Sequence, residues 1–430
     1  MNKISSNLLY FLIGILVLTW PMPHIIAIRN IDIVLIFIIS LVNFFKNKNI
    51  SFSFKKQEKI ILVSLMLFVI WSIIISIFSE FRNYCFNELK AFINLILLGS
   101  SAYFIINSNI DYKKVFLIIF SVMMIFPIYH ALYSLHFYLL HHHFPFRSYG
   151  LTVGLDEINF MMPYILTFFS VEIIFRFLNK KSLIPISNSL FSLLLMIVLF
   201  SLLVQAKRNG IVSITFMIIS IILFIKLVSY QLSKRIIIFS IIGVIIGGSL
   251  IFFNIKEDKR WNKLFLAYNV VFIKNDMSFL KGKIPYGLDA SNYERLIYFR
   301  EGFRLIKDNP LGYGYGRSIF GKVISKKYNV NIHTHAHSGV IDWGVGVGIF
   351  GLLLWSIFIF SLIYLGFKQF IEYQSYFGLF IVYLSTSFYF RMFLDSINKD
   401  HMLQQFVFFI FLGFFAIYKE SNEKNNLPSP

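Results

Sequence analysis

The chain has 430 residues, 57% of them hydrophobic and only 14% charged, with 52 phenylalanines. A water-soluble protein of that length could not bury so much apolar surface, whereas a bilayer accepts it, so the composition excludes a soluble globular protein and implies a polytopic membrane protein. The formal net charge is +19, but the basic residues are scattered between apolar runs rather than gathered in one domain, which argues against nucleic acid and leaves two sources for the excess: membrane topology and an anionic substrate.

Taken in order, the apolar runs predict an all-α fold with about twelve transmembrane helices, at roughly 8–27, 31–46, 59–79, 87–107, 114–138, 159–178, 187–205, 210–229, 235–254, 345–367, 374–392 and 402–418. The N-terminal MNKISSNLLYFLIG resembles a signal sequence but lacks a small-residue cleavage site, so it is read as an uncleaved first helix. Lysines and arginines alternate in density along the connections. Lys46, Lys48, Lys55, Lys56, Lys59, Lys113, Lys114, Lys180, Lys181, Lys234, Arg235, Lys368, Lys419 and Lys424 fall on one side, while the short loops of the other side hold fewer, such as Arg29, Arg82, Lys90 and Arg147. The positive-inside bias then puts both termini in the cytoplasm. The division is residues 1–254 with helices 1–9, a large external loop over 255–344, and 345–430 with helices 10–12 and a cytoplasmic tail. One cysteine, Cys85, excludes an internal disulfide, so the external loops are held by packing.

Long external loops escape the positive-inside rule, so the charge of the large one can be read for function. From Lys256 to Asp342 it holds fifteen Lys/Arg against eight Asp/Glu, leaving +7 on the outer face. Within it, Ser291 and Glu294 have the spacing of a capping box, and ERLIYFREGFRLIKDNP runs on as an amphipathic helix that stops at Pro310. Leu296, Ile297, Phe299, Phe303 and Ile306 can face membrane or bundle. Arg300 and Arg304 are stacked at i, i+4, and Arg295 lies in the expected first turn, where the helix dipole disfavours a cation unless an external anion answers it. The following NPLGYGYGRSIF is a glycine-rich turn that lets backbone approach another helix or a ligand. As a phosphate cradle it lacks the Gly-Lys-Ser/Thr ending of a P-loop.

Two further charged sites sit among apolar residues. VQAKRNGIVSI puts Lys207 and Arg208 between two predicted spans with almost no loop. A guanidinium at bilayer depth costs at least about 2.5–3.5 kcal/mol unless it is paired or hydrated. Arg208 therefore either snorkels to the headgroups or clamps a phosphate with its two-pronged fork. RMFLDSINKDH places Arg391, Asp395, Lys399 and Asp400 at an outer membrane edge, with Arg391 and Asp395 at ion-pair spacing. Histidines gather at His141, His142 and His143 and again at His333, His335 and His337. Neither set has a Cys or acidic cluster to complete a metal site. A single imidazole near neutral pH is instead a natural general base for a hydroxyl nucleophile, with arginines available to hold a leaving anion.

The order of these features resembles the bacterial O-antigen ligases, within the wider ligase/polymerase superfamily. His337-Ser338 followed after nine residues by Gly348 and Gly351, the QAKRNG arginine Arg208, and the Arg295 helix with its Pro/Gly turn match the family's landmarks in order. The resemblance implies a GT-C-like inner-membrane glycosyltransferase with its active site facing the periplasm. Its donor would be a polysaccharide on undecaprenyl pyrophosphate and its acceptor a sugar hydroxyl of lipid A–core. It further implies His337 as catalytic base, Arg208 and Arg295 as pyrophosphate ligands, Arg300, Arg304 and Asp395 as secondary candidates, and no metal, ATP or other cofactor. A Wzy-type O-antigen polymerase is the alternative enzyme. A lipid-linked oligosaccharide exporter fits less well, because the spans are poor in charge and the charges gather at one face.

Overall fold

The computed structural model describes residues 3–22, 25–46, 56–144, 157–178, 180, 182–204, 263–276, 278, 283–332, 335–397 and 400–425. The expected spans at 210–229 and 235–254, together with Arg208 and His333, lie outside the described residues. Among the described residues every regular element is helical, and seven stretches are long and apolar enough to cross a membrane: Ile26–Phe45, Gln57–Ile77, Arg82–Ile106, Tyr112–His141, Gly348–Tyr373, Tyr376–Leu394 and His401–Glu420. The expected spans near 8–27, 159–178 and 187–205 overlap α1 (Lys3–Thr19), α7 (Glu157–Phe177) and α8 (Asn188–Val204), which are not among those seven, and α1 ends well short of residue 27.

The remaining bundle helices are α2 (Ile26–Phe45), α3 (Lys56–Ile77), α4 (Arg82–Leu89), α5 (Ala91–Ile106) and α6 (Tyr112–His141). Local chemistry sets several ends. Asp111 opens α6 by accepting from the amides of Lys113 and Lys114 at 3.0 and 3.2 Å, the usual service of an N-cap carboxylate to free N–H groups. Inside α7 the fully buried Glu172 is satisfied by Arg176 at 3.2 Å and by the amides of Leu183 and Ile184, so a charge expected to be costly becomes the clasp of the α7–α8 connection.

The loop region expected to be external follows. A short helix α9 (Leu264–Tyr268) runs into a π-helical turn over Asn269–Ile273, and then come α10 (Ala290–Asp308), α11 (Ile319–Tyr328) and α12 (Gly339–Gly346). The chain re-enters the bundle through α13 (Gly348–Tyr373), α14 (Tyr376–Leu394) and α15 (Asp400–Asn425). Among the described residues two hydrophobic cores result. The larger runs through the bundle and contains an aromatic knot, with Trp343 and Trp355 edge-on at 4.6 Å and Phe388 stacked on Phe406 at 4.0 Å. The smaller brings Ile297, Tyr298, Leu305, Phe320, Ile324, Ile341 and Val345 of the loop region together with Cys85 of α4. This second core holds the loop region by packing, as disulfides hold many small domains.

The helix boundary at α10 differs from the sequence expectation. Asp289, not Ser291, is the N-cap, its side chain accepting from the Asn292 amide at 2.9 Å. A carboxylate caps as well as a serine hydroxyl does, and capping here starts the helix at Ala290. Arg295 consequently lies in the second turn, where the dipole penalty argued for it is weaker.

Candidate functional site

His337 occupies a left-handed backbone conformation with φ at 55°, a region that a non-glycine residue enters at a cost of about 1–2 kcal/mol. The surrounding hydrogen bonds hold it there. Ser338 is the N-cap of α12, with its hydroxyl accepting from the Ile341 amide and donating to the Met392 carbonyl at 3.2 Å. The Ala336 amide donates to the Asp342 carboxylate at 2.7 Å, and the Gly339 amide donates to the Asp395 carbonyl at 3.0 Å. The His337 amide itself donates to Nδ1 of His335 at 3.2 Å, and the two imidazoles meet edge-on at 4.4 Å. His337 is thus presented half-buried on a backbone pinned on both sides. The pairing of histidine with serine has a local reason: the serine caps the helix and the histidine precedes the cap.

The His337 ring lies parallel to that of Tyr298, with centroids 6.5 Å apart, and Tyr298 is backed on another side by Phe320 at 5.1 Å. Tyr298 is buried, and burial first, then the charge and hydrogen bond of Glu294, push its phenol well above the ordinary range, so it stays neutral and keeps its proton. Sequence reasoning passed over Tyr298. The signal available was its place three residues beyond Arg295, which on a helix makes the two near neighbours on one side.

The three arginines of α10 have separate fates. Arg300 is buried, pairs with the fully buried Glu301 at 3.0 Å, and donates to the Val271 carbonyl, the Asn275 side chain and the Asp276 carbonyl. Arg304 is half-exposed and shares Glu301 at 3.0 Å. Among the described residues Arg295, half-buried, has no hydrogen-bond or ion-pair partner. Arg300, expected as a secondary anion ligand, is therefore committed to holding the segment 271–276, and Arg295 is the α10 arginine with its fork open.

The glycine-rich turn approaches another helix junction. The amides of Tyr313 and Gly314 donate to the carbonyls of Val345 and Gly346 at 2.9 Å each, and the Ile349 amide donates to the Pro310 carbonyl at 2.8 Å. Gly348, at φ 72°, lies so close that a Cβ there would be 2.3 Å from the backbone of Leu311. Trp71 and Ser76 of α3 extend the seam, Trp71 Nε1 donating to the Val347 carbonyl at 2.7 Å and Ser76 Oγ accepting from the Tyr315 amide at 3.1 Å. The amides of Tyr313, Gly314, Tyr315, Arg317 and Ser318 are spent on protein oxygens, which speaks against a phosphate cradle here. The turn fastens the loop region to the α12–α13 break and so fixes His337 relative to the bundle.

Arg391 ends α14 one turn before Asp395. It is buried, with Nη2 lacking a hydrogen-bond partner, and it lines a small cavity with Tyr164, Phe388, Ile397 and Met402. Ser338 and Gly339 bond to this same helix end, through Met392 and Asp395 respectively. The expected secondary residue Asp395 therefore touches the histidine loop through its backbone carbonyl. His141 to His143 sit elsewhere, where His142 at φ 56° closes α6 as its C-cap.

The arrangement can take a proton from a hydroxyl at His337 and hold an anion at Arg295. Residues 191–356 of the chain match the family model described as O-antigen ligase. The matched stretch contains Arg208, Arg295 and His337 and ends within α13, so Arg391 and Asp395 lie beyond it. No curated protein matches the chain.

Proposed function

We infer that this protein is an O-antigen ligase of the ligase/polymerase superfamily of membrane glycosyltransferases, a reading supported by the match of residues 191–356 to the O-antigen ligase family model. It would transfer a polysaccharide from undecaprenyl pyrophosphate to a sugar hydroxyl of lipid A–core at the periplasmic face of the inner membrane. The observation that carries this reading is the pairing of a backbone-locked His337 with Tyr298, one helical turn from the open guanidinium of Arg295. Lipid-linked substrates are anionic and meet at the membrane surface, where a basic loop above an apolar bundle suits them.

In this reading the acceptor hydroxyl gives its proton to His337 as its oxygen attacks the anomeric carbon of the donor. The bond from that carbon to the pyrophosphate oxygen breaks with inversion, and undecaprenyl pyrophosphate leaves as an anion held by Arg295 and Arg208. The pyrophosphate linkage carries the driving force, so the reaction needs no nucleotide. The parallel Tyr298 ring supports the imidazole on one face and helps to fix its orientation.

The test is deletion of the gene followed by electrophoresis of surface lipopolysaccharide. Bare core with lipid-linked glycan retained on the outer leaflet is expected. Core bearing a single repeat unit would assign a polymerase, and donor trapped on the cytoplasmic side would assign an exporter. Both results would overturn the ligase reading.

A further inference from the structure

The stretch between Lys263 and Lys274, LFLAYNVVFI, is the most apolar piece of the external region and is only half used by the fold. Ala267 and Val271 are fully buried in the external core, whereas Phe265 is 78% exposed and Ile273 71% exposed, with Leu266 and Tyr268 also exposed. A water-facing loop that shows this many large apolar side chains on one short helix forfeits burial of order 25 cal/mol for each Å² left wet. The nearby surface certain to exist beside a membrane-embedded chain is the bilayer. The chemistry at the two ends fits it. Lys263 and Lys274 bracket the apolar run, so their ammonium groups can reach anionic headgroups while the side chains between them enter the acyl boundary. Tyr268 has the amphipathic ring that favours that depth.

We propose that α9 and its π-helical turn form an interfacial anchor that lies on the outer leaflet of the bilayer. The anchor is fastened to the site. Arg300 of α10 grips the Val271 carbonyl, Asn275 and the Asp276 carbonyl, and Tyr293 of α10 donates to the Asp276 carboxylate. The depth at which α9 rests therefore fixes the height of α10, and with it Arg295 and Tyr298, above the membrane surface. The buried Arg300 acquires a purpose: it transmits that height as a positioning residue. The anchor stands on exposure, charge and hydrogen bonding, and it holds whether the enzyme is a ligase or a polymerase.

The experiment uses the full chain in liposomes containing anionic phospholipid. Phe265→Cys, Ile273→Cys and, as a control, Lys326→Cys are made in a Cys85→Ser background. If that background fails to fold, native Cys85 can be kept, since it is fully buried. Each position carries an environment-sensitive fluorophore, and quenching is read with phospholipid bearing a doxyl group just below the headgroup and, separately, with aqueous iodide. Positions 265 and 273 should be quenched several-fold more by the lipid than position 326, with the reverse order for iodide. Lys263→Glu with Lys274→Glu should weaken lipid quenching more in anionic than in zwitterionic liposomes. Iodide quenching at 265 and 273 equal to that at 326 overturns the proposal in favour of a water-exposed face. Protection from both quenchers overturns it in favour of a face covered by another part of the chain.

Discussion

At the scale of single residues, the left-handed backbone of His337 and the open fork of Arg295 set the sharpest expectations. Removing a well-placed general base costs about 100- to 10,000-fold in rate. His337→Ala should lose transfer to that extent while still accumulating in the membrane, measured with purified lipid-linked donor and purified lipid A–core. His335→Ala should lose much less, because His335 accepts a backbone hydrogen bond and touches the edge of the His337 ring rather than the reacting groups. Near-wild-type transfer by His337→Ala would remove the base from the proposal. Arg295 and Arg300 should part company. Arg295→Lys should lose transfer with unchanged thermal stability, since a point charge cannot reproduce a two-oxygen fork. Arg300→Ala should instead destabilise the loop region by about 1–3 kcal/mol, because it removes the bonds to Val271, Asn275 and Asp276 and one of the two arginines paired with the buried Glu301. Limited proteolysis would show this as faster cleavage in the loop, and equal proteolytic resistance in the two variants would refute the division. Much of this site could be read from sequence: residue type and spacing singled out His337 and Arg295. The difference between Arg295 and Arg300 could not, because it depends on which carbonyls of 271–276 the fold brings across, and spacing along a helix carries no record of that.

At the scale of elements, the decisive contact is the seam between the glycine-rich turn and the α12–α13 break. Gly312, at φ 96°, would place a Cβ 2.3 Å from the Gly346 carbonyl oxygen, and Gly348 meets the Leu311 backbone as closely. Backbone cannot move aside as a flexible side chain can. Gly348→Ala should therefore cost both the left-handed penalty of about 1–2 kcal/mol and the loss of the flanking amide–carbonyl bonds. The expected outcome is a lowered unfolding temperature together with reduced transfer. Gly287→Ala is the control, since it shares a positive φ of 83° but has nothing within 4 Å. Equal destabilisation by the two would mean that backbone strain, not the seam, dominates. Sequence reasoning found the amphipathic helix, its stop at Pro310 and the glycine turn after it, because those follow from local propensity. It misjudged the cap, since Asp289 and Ser291 are both good N-caps and only tertiary packing of Tyr293 and Ile297 chooses between them. It left the turn between helix and ligand as partners, since a glycine run announces close approach without naming what approaches.

At the scale of the whole molecule, the connections sort into two ends. Lys419, near the C-terminus, donates to the carbonyls of Ile106 and Ser108 at 2.8 and 3.0 Å, and Glu420 accepts from Ser375, so the tail, the α5–α6 turn and the α13–α14 turn share one end. The other end gathers the α3–α4 turn and α4, which meet the loop region through Ser79 on the Tyr313 carbonyl and Tyr84 on the Ser318 amide, and the α14–α15 turn, which holds Gly339 through Asp395. By the lysine and arginine bias of the loops, the first of these ends is the one expected inside and the His337 end the one expected outside. The bias was legible because it is counted along the chain; the meeting of turns from distant spans is a property of packing. Single cysteines at Tyr286, whose side chain is fully exposed, and at Ser421 test the sidedness in a Cys85→Ser background. A membrane-impermeant thiol reagent applied to intact spheroplasts should label position 286 and leave 421 unlabelled until the membrane is permeabilised. Lys322, Lys326 and Lys327 offer a parallel check on function at the outer end. Lys322 lies over the Tyr84 ring, Lys326 and Lys327 make exposed surface pairs with Glu80 and Asp308, and such screened contacts contribute little, so alanine at all three should leave transfer intact. Labelling at 421 but not at 286 in intact spheroplasts would invert the molecule. His337 and Arg295 would then face the cytoplasm, away from any acceptor on the outer leaflet, and the ligase reading would fail with the topology.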